Sequence, residues 1–215
     1  MFQSPYVGQL EVICGCMFSG KTEELLRRLK RAQIAKQKVQ VFKPKIDNRY
    51  SENHVQSHDA SRLLSIPIEN SSEILNYLED NTRVVGIDEI QFFDSAIIEI
   101  AQKLTFRGIR VIVAGLDMDY KSEPFGPIPI LLSVAESITK LNAVCTVCGG
   151  FATRTQRISL PKESSGKEQI VVGAHDLYEA RCRLHHEPHQ LGIPAYQFGM
   201  HSQPIQHKEN VREKR

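Results

Sequence analysis

Net charge is the first thing this sequence lacks: 27 lysines and arginines face 25 aspartates and glutamates over 215 residues. Lys208, Arg212, Lys214 and Arg215, set against Glu209 and Glu213, account for the whole surplus of +2 and leave residues 1–200 neutral. No nucleic-acid partner is expected, because phosphate backbones are gripped by clustered cations. Also missing are an apolar run long enough to cross a bilayer and a charged start followed by an apolar signal core. These absences predict a cytoplasmic protein with no membrane partner. Five cysteines, an odd number without a secretion signal, argue against a disulfide framework. At 41% hydrophobic, the chain can bury one main core and a small appendage.

What is present is organised around Gly15-Cys16-Met17-Phe18-Ser19-Gly20-Lys21-Thr22, which fits the phosphate-binding pattern G-x-x-x-x-G-K-[ST]. Its glycines permit a tight turn whose N–H groups cradle the oxygens of a nucleoside triphosphate. Lys21 reaches the terminal phosphates, and the Thr22 hydroxyl is a ligand for Mg²⁺. The context agrees: Gln9 to Cys14 is a short strand-like run. Lys21 to Lys36 is predicted helical, with Leu25, Leu26, Leu29, Ala32 and Ile34 as its apolar positions. The helix start then aims its partial positive charge at the phosphates. Cys14 and Cys16 read as small, partly buried residues rather than nucleophiles.

Further on, Lys38 to Lys43 reads as a strand ended by Pro44, and Lys45 to Arg62 as a long polar loop. Arg49 in that loop is either a phosphate partner or a solvated charge. A short strand is expected over 61–66. A helix is expected over 70–78, with Ser71 or Ser72 as N-cap. Arg83-Val84-Val85-Gly86-Ile87 is an apolar strand that ends in Asp88-Glu89. In a doubly wound sheet that end lies beside the phosphate loop, so Asp88 is placed to hold Mg²⁺ and Glu89 to take a proton from an acceptor as general base. A helix over 94–106 and a strand over 109–115 follow, then a shaped loop and a helix expected over 131–140. The alternation predicts an α/β fold: a P-loop, RecA-like, mainly parallel sheet flanked by helices. Phe92, Tyr120 and Phe125 either pack on the core or wall a flat base, with Met17 facing the same pocket.

Cys145-x-x-Cys148 and Cys182-x-x-His185 supply three thiolates and an imidazole, the ligand set of a closed structural zinc site. His186 is an alternative fourth ligand, though the spacing favours His185. A metal would close a small β-rich module that has too little apolar core to stand alone. The expected organisation is an α/β nucleotide-binding domain at 1–140, a zinc-binding lid at 141–189 and a disordered tail at 190–215.

The phosphate loop, the Asp88-Glu89-Ile90-Gln91-Phe92-Phe93 box, Gly115-Leu116-Asp117 with Pro124-Phe125-Gly126, and the run from Tyr178 to His185 together resemble the cellular, zinc-containing (type II) thymidine kinase family over residues 8–186. The resemblance implies transfer of the γ-phosphoryl of ATP to the 5′-hydroxyl of thymidine, with Glu89 as catalytic base. It implies an ATP site at Gly15 to Thr22, Asp88 and Gln91, with Asp47 and Arg49 near the phosphates. It places the nucleoside among Met17, Phe92, Leu116, Tyr120, Phe125, Thr155, Arg157, Val171, Gly173 and Tyr178. Cys145, Cys148, Cys182 and His185 match the family's zinc ligands, and Thr22 and Asp88 serve magnesium. A homotetramer inhibited by dTTP is implied as well. Ile90 departs from the small residue common in relatives, and Tyr120 from Phe. If buried, the Tyr120 hydroxyl needs a partner. Two rivals, a nucleic-acid-dependent ATPase and a nucleotide sensor without turnover, fit less well. The first lacks a basic face, and the second leaves the set of Lys21, Thr22, Asp88 and Glu89 without a use.

Overall fold

The computed structural model describes residues 8–46, 54–56, 62–158 and 177–187. In chain order these form β1 (Leu10–Gly15), α1 (Lys21–Ile34), β2 (Val39–Pro44), β3 (His54–Gln56), β4 (Arg62–Leu64), β5 (Ile66–Ile68), α2 (Glu73–Tyr77) and β6 (Val84–Ile87). A 3-10 turn (Ile90–Phe92) leads to α3 (Ala96–Phe106), β7 (Arg110–Gly115), α4 (Ile128–Val134) and β8 (Ser137–Leu141). Four short strands end the series: β9 (Ala143–Val144), β10 (Phe151–Ala152), β11 (Arg154–Arg157) and β12 (Tyr178–Arg181).

Six strands make one parallel sheet in the order β5-β2-β6-β7-β1-β8. The expected α/β architecture is therefore the one present. Alternate residues of each central strand point to opposite faces, and both faces are covered. Ile13, Val41, Val84, Ile112 and Ala114 meet Leu25, Leu26, Leu29 and Ala32 of α1. Val12, Val85, Ile87, Val111 and Val113 meet Ile97, Ile100, Ala101 and Leu104 of α3, with Ile128 and Leu131 of α4. Ile34 stays 81% exposed, because nine residues at about 100° each put it on the side of α1 opposite Leu25.

Three expectations need correction. The stretch 131–140 is not one helix: α4 ends at Val134, and Ser137–Leu141 becomes β8, an edge strand parallel to β1. Pairing with β1 and the β-branched Ile138 and Thr139 outweigh the helical spacing. The polar stretch after Lys45 contains β3, paired antiparallel with β4, and the strand expected over 61–66 divides into β4 and β5 around Ser65. Ser72 is the N-cap residue of α2, as expected, but its side chain makes no capping hydrogen bond. Ser71 instead gives its hydroxyl and its main-chain N–H to the Asp94 carboxylate, joining α2 to the approach to α3.

At the N-terminal end of the sheet, Glu11 lies between Arg28 and Arg110, and Glu24 holds both Arg27 and Arg28. The hydrogen bond from Arg27, helped by Arg28, outweighs burial and holds the Glu24 carboxyl at about 2, below its ordinary 4.5. A carboxyl lowered on folding stabilises the fold above its unfolded pKa, and that contribution goes as pH falls through the folded one. The difference in melting temperature between wild type and Glu24→Gln is therefore expected to be full above pH 4.5 and to shrink towards pH 2. A difference that stays constant over that window removes Glu24 from the role.

Candidate functional site

The phosphate loop leaves β1 and enters α1 at the carboxyl edge of the sheet, the edge where ligands collect in open α/β folds. Gly15 has φ 146, and a Cβ there would run into the Leu141 carbonyl at the end of β8. Gly20, with φ 80, is the N-cap of α1, and Glu23 and Glu24 occupy its first turn. Inside the loop the Cys16 carbonyl accepts from Ser19 Oγ and from Lys21 Nζ, both at 2.8 Å. The lysine ammonium thus sits over the loop with its stem buried. Cys14 and Cys16 are both buried. Burial, together with the Asp117 charge, pushes the Cys14 thiol up to about 11, so it is no nucleophile.

Thr22 Oγ1 donates to Asp88 Oδ2 at 3.1 Å, which brings the two expected magnesium ligands together. Asp88 Oδ1 accepts the Glu89 N–H at 3.0 Å. This bond helps hold Glu89 at φ 50, a left-handed conformation that costs a non-glycine residue roughly 1–2 kcal/mol. Gln91 Nε2 donates to Glu89 Oε2, while Gln91 Oε1 accepts the Leu116 N–H at 3.0 Å. The main chain beyond β7 therefore fixes which way the Gln91 amide points, and Gln91 fixes the Glu89 carboxylate. Gln91 was expected beside the phosphates through the family box; its side-chain contacts here run to Glu89 and Leu116. Ile90, the first departure, is fully buried, and its Cγ2 lies where a Cβ on Gly115 would come within 2.9 Å. The larger side chain fits because position 115 is glycine.

The expected aromatic residues make pairwise contacts. Phe92 and Phe125 meet edge to face at 5.7 Å. The Arg157 guanidinium lies 5.0 Å from the Tyr120 ring centroid, and Tyr178 stands opposite Arg157 in the β11–β12 register. Tyr120 is 4% exposed, and its hydroxyl has no hydrogen-bond partner among the described residues. Thr155 Oγ1 accepts the Met17 N–H at 3.1 Å, so β11 touches the phosphate loop. The site residues Asp47, Arg49, Val171 and Gly173 lie outside the described residues, as does the tail from 190.

Cys145, Cys148, Cys182 and His185 converge, with all four donor atoms within 4.8 Å of one another. Cys182 Sγ is 3.2 Å and Cys145 Sγ 3.8 Å from His185 Nδ1, and Cys148 Sγ is 3.9 Å from Cys182 Sγ. A tetrahedron with metal–sulfur bonds of about 2.3 Å has edges of about 3.8 Å, so the donors fit a structural zinc ion. Burial raises the Cys145 thiol. The main-chain amides of Cys182, Cys148 and Val147 outweigh it and bring the thiol down to about 6, which favours the thiolate a metal needs. His186 is not part of the cluster: its ring turns the other way, with Nε2 3.0 Å from the Tyr120 carbonyl. Sequence reasoning missed this contact and the one from Gln156 to Glu187, since neither residue belongs to a recognisable motif.

Among the described residues no helix is long and apolar enough to cross a membrane. The model of a family described as thymidine kinase matches residues 8–186. A thymidine kinase of Bdellovibrio bacteriovorus is 56% identical over 181 residues, covering 84% of this chain and 86% of that protein.

Proposed function

The chain belongs to the thymidine kinase family, and from that premise we propose that Glu89 is the base that carries the phosphorylation of thymidine by ATP. The observation that carries this reading is the double hold on Glu89. Its main-chain N–H goes to Asp88, and its carboxylate accepts from Gln91 one turn beyond the phosphate loop's own partner, Thr22–Asp88. In the step, the 5′-oxygen of thymidine attacks the γ-phosphorus of ATP, and its proton passes to the Glu89 carboxylate. The bond from the γ-phosphorus to the bridging oxygen breaks, and ADP departs. Phosphoryl transfer asks chiefly for positioning and charge neutralisation, and the loop amides with Lys21 supply both. Thr22 and Asp88 are the residues to hold Mg²⁺; when bound, the ion neutralises charge on the phosphate oxygens.

The Phe92–Phe125 pair and the Tyr120–Arg157 pair, with Tyr178 opposite Arg157, support these residues, together with Met17, Leu116 and Thr155, as the walls around the nucleoside. Asp47 and Arg49 on the phosphate side, and Val171 and Gly173 on the base side, rest on family likeness alone. The same likeness supports a cytoplasmic homotetramer inhibited by dTTP bound in the nucleoside site. The 141–189 segment is read as a zinc-held lid over an α/β domain of residues 1–140.

Labelled ATP incubated with each nucleoside in turn tests the activity. Label is expected in thymidine 5′-monophosphate, with thymidine the preferred acceptor among natural nucleosides. Phosphate release stimulated by polynucleotide, or no turnover with any nucleoside, overturns the reading.

A further inference from the structure

Beside the Cys/His cluster, Gln156 closes the module on itself and His186 reaches out of it to the 119–123 turn. Gln156, 2% exposed, closes a pair of hydrogen bonds with the main chain of Glu187: Nε2 donates to the Glu187 carbonyl at 2.9 Å, and Oε1 accepts the Glu187 N–H at 2.7 Å. Between this clamp and the ligand His185 lies His186. Its Nε2 is 3.0 Å from the Tyr120 carbonyl, and its Nδ1 is 3.5 Å from Ser122 Oγ. A carbonyl only accepts, so in the contact with Tyr120 it is Nε2 that carries the hydrogen.

The strand period makes the arrangement directional. In β11, Gln156 points to the Glu187 side, whereas Thr155 and Arg157 point to the other, where Thr155 takes the Met17 N–H and Arg157 covers the Tyr120 ring. The 119–123 turn is held internally by the Asp119 side chain, which accepts from the N–H groups of Lys121 and Glu123. The turn thus keeps its shape without His186, and that imidazole ties its main chain to the segment that follows the Cys/His cluster.

We propose that His186 is a positioning residue for thymidine, holding the main chain of Tyr120 so that the metal-bound module sets how far the nucleoside wall stands from the phosphate loop. This rests on the reading of Tyr120 and Arg157 as walls of the nucleoside site. The triphosphate, by contrast, is gripped by amides of the loop itself. Loss of the contact therefore weakens thymidine and spares ATP.

The test uses the full-length, metal-loaded protein with His186→Ala, His186→Phe, which keeps the ring and removes both nitrogens, and His186→Gln, which keeps a donor. Steady-state kinetics give KM for each substrate, calorimetry gives Kd for thymidine, and metal content is measured per chain. His186→Ala and His186→Phe are expected to raise thymidine KM and Kd about tenfold. ATP KM should stay within about twofold, metal content should match wild type, and His186→Gln should recover most of the loss. Unchanged thymidine binding in both donorless variants overturns the proposal. So does an equal rise in ATP KM, or loss of the metal. A wild-type chain that neither binds nor phosphorylates thymidine sinks the functional reading itself. A normal wild type beside unaffected variants sinks the role of His186 alone.

Discussion

Glu89→Gln is expected to lower turnover with thymidine roughly a hundred- to ten-thousand-fold, the range for removal of a positioned general base, while ATP affinity stays within about twofold. The substitution keeps the size and shape of the side chain. Its amide oxygen still accepts from Gln91 Nε2, so the bridge to Leu116 survives, and the bond from the main-chain N–H to Asp88 is untouched. The loop amides, Lys21 and the Thr22–Asp88 contact are likewise unaltered. What disappears is the capacity to take a proton. An amide cannot accept one as the 5′-hydroxyl attacks, whereas a carboxylate is ionised at neutral pH. Single-turnover rates and an ATP titration separate chemistry from binding. A near-normal rate removes Glu89 from its role, and a parallel collapse of ATP affinity assigns the defect to folding of the strained residue 88–89 corner instead.

The second large effect is expected from Cys182→Ser. Among the described residues the group of buried apolar side chains around the Cys/His cluster is small: Ala143, Cys145, Ala152 and Ala180, with Cys182 against them and Cys16 of the phosphate loop beside them. Among the described residues the module's strands pair in twos, β9 with β10 and β11 with β12. A module of this size is expected to depend on a metal, whose binding in small zinc units contributes about 10–16 kcal/mol of apparent folding free energy. Serine keeps the volume and removes the thiolate. Zinc is expected to fall from one ion per chain to a small fraction, with thymidine phosphorylation down about a hundredfold. The far-UV circular dichroism of the six-stranded sheet and its helices should persist, because α1, α3 and α4 pack on that sheet without the module. Metal analysis, activity and circular dichroism on one preparation check all three. A Cys182→Ser protein with full zinc and full activity ends the structural-metal reading.

What could be read from the sequence was whatever had a fixed local spacing. The phosphate loop, the strand ending at Asp88 and the paired cysteines all encode their geometry within a few residues, and the structure brings Thr22 to Asp88 and the four metal donors to one point. The parallel sheet was legible for the same reason, since β1, β6 and β7 are buried on both faces and read as mainly apolar runs, interrupted in β1 by Glu11 and led in β7 by Arg110. β8 was not, because an edge strand with one covered side carries polar residues at Ser137, Thr139 and Lys140, and its identity comes from pairing with β1, more than 120 residues earlier in the chain. The duty of Gln91 was hidden too: its amide is set by Leu116, which no local pattern connects to it. The same holds for Ser71, whose partner Asp94 lies across α2 and β6.

The approach of the Leu141 carbonyl to Gly15 also decides how chains of this kind can exchange parts. A chimera that takes the first hundred residues from one parent and the remainder from another must match two backbones at that crossing, where nothing larger than a hydrogen fits. The partner there is a main-chain carbonyl, so an active member of such a library must keep glycine at 15 and the path of the backbone at 141, whatever side chain 141 carries.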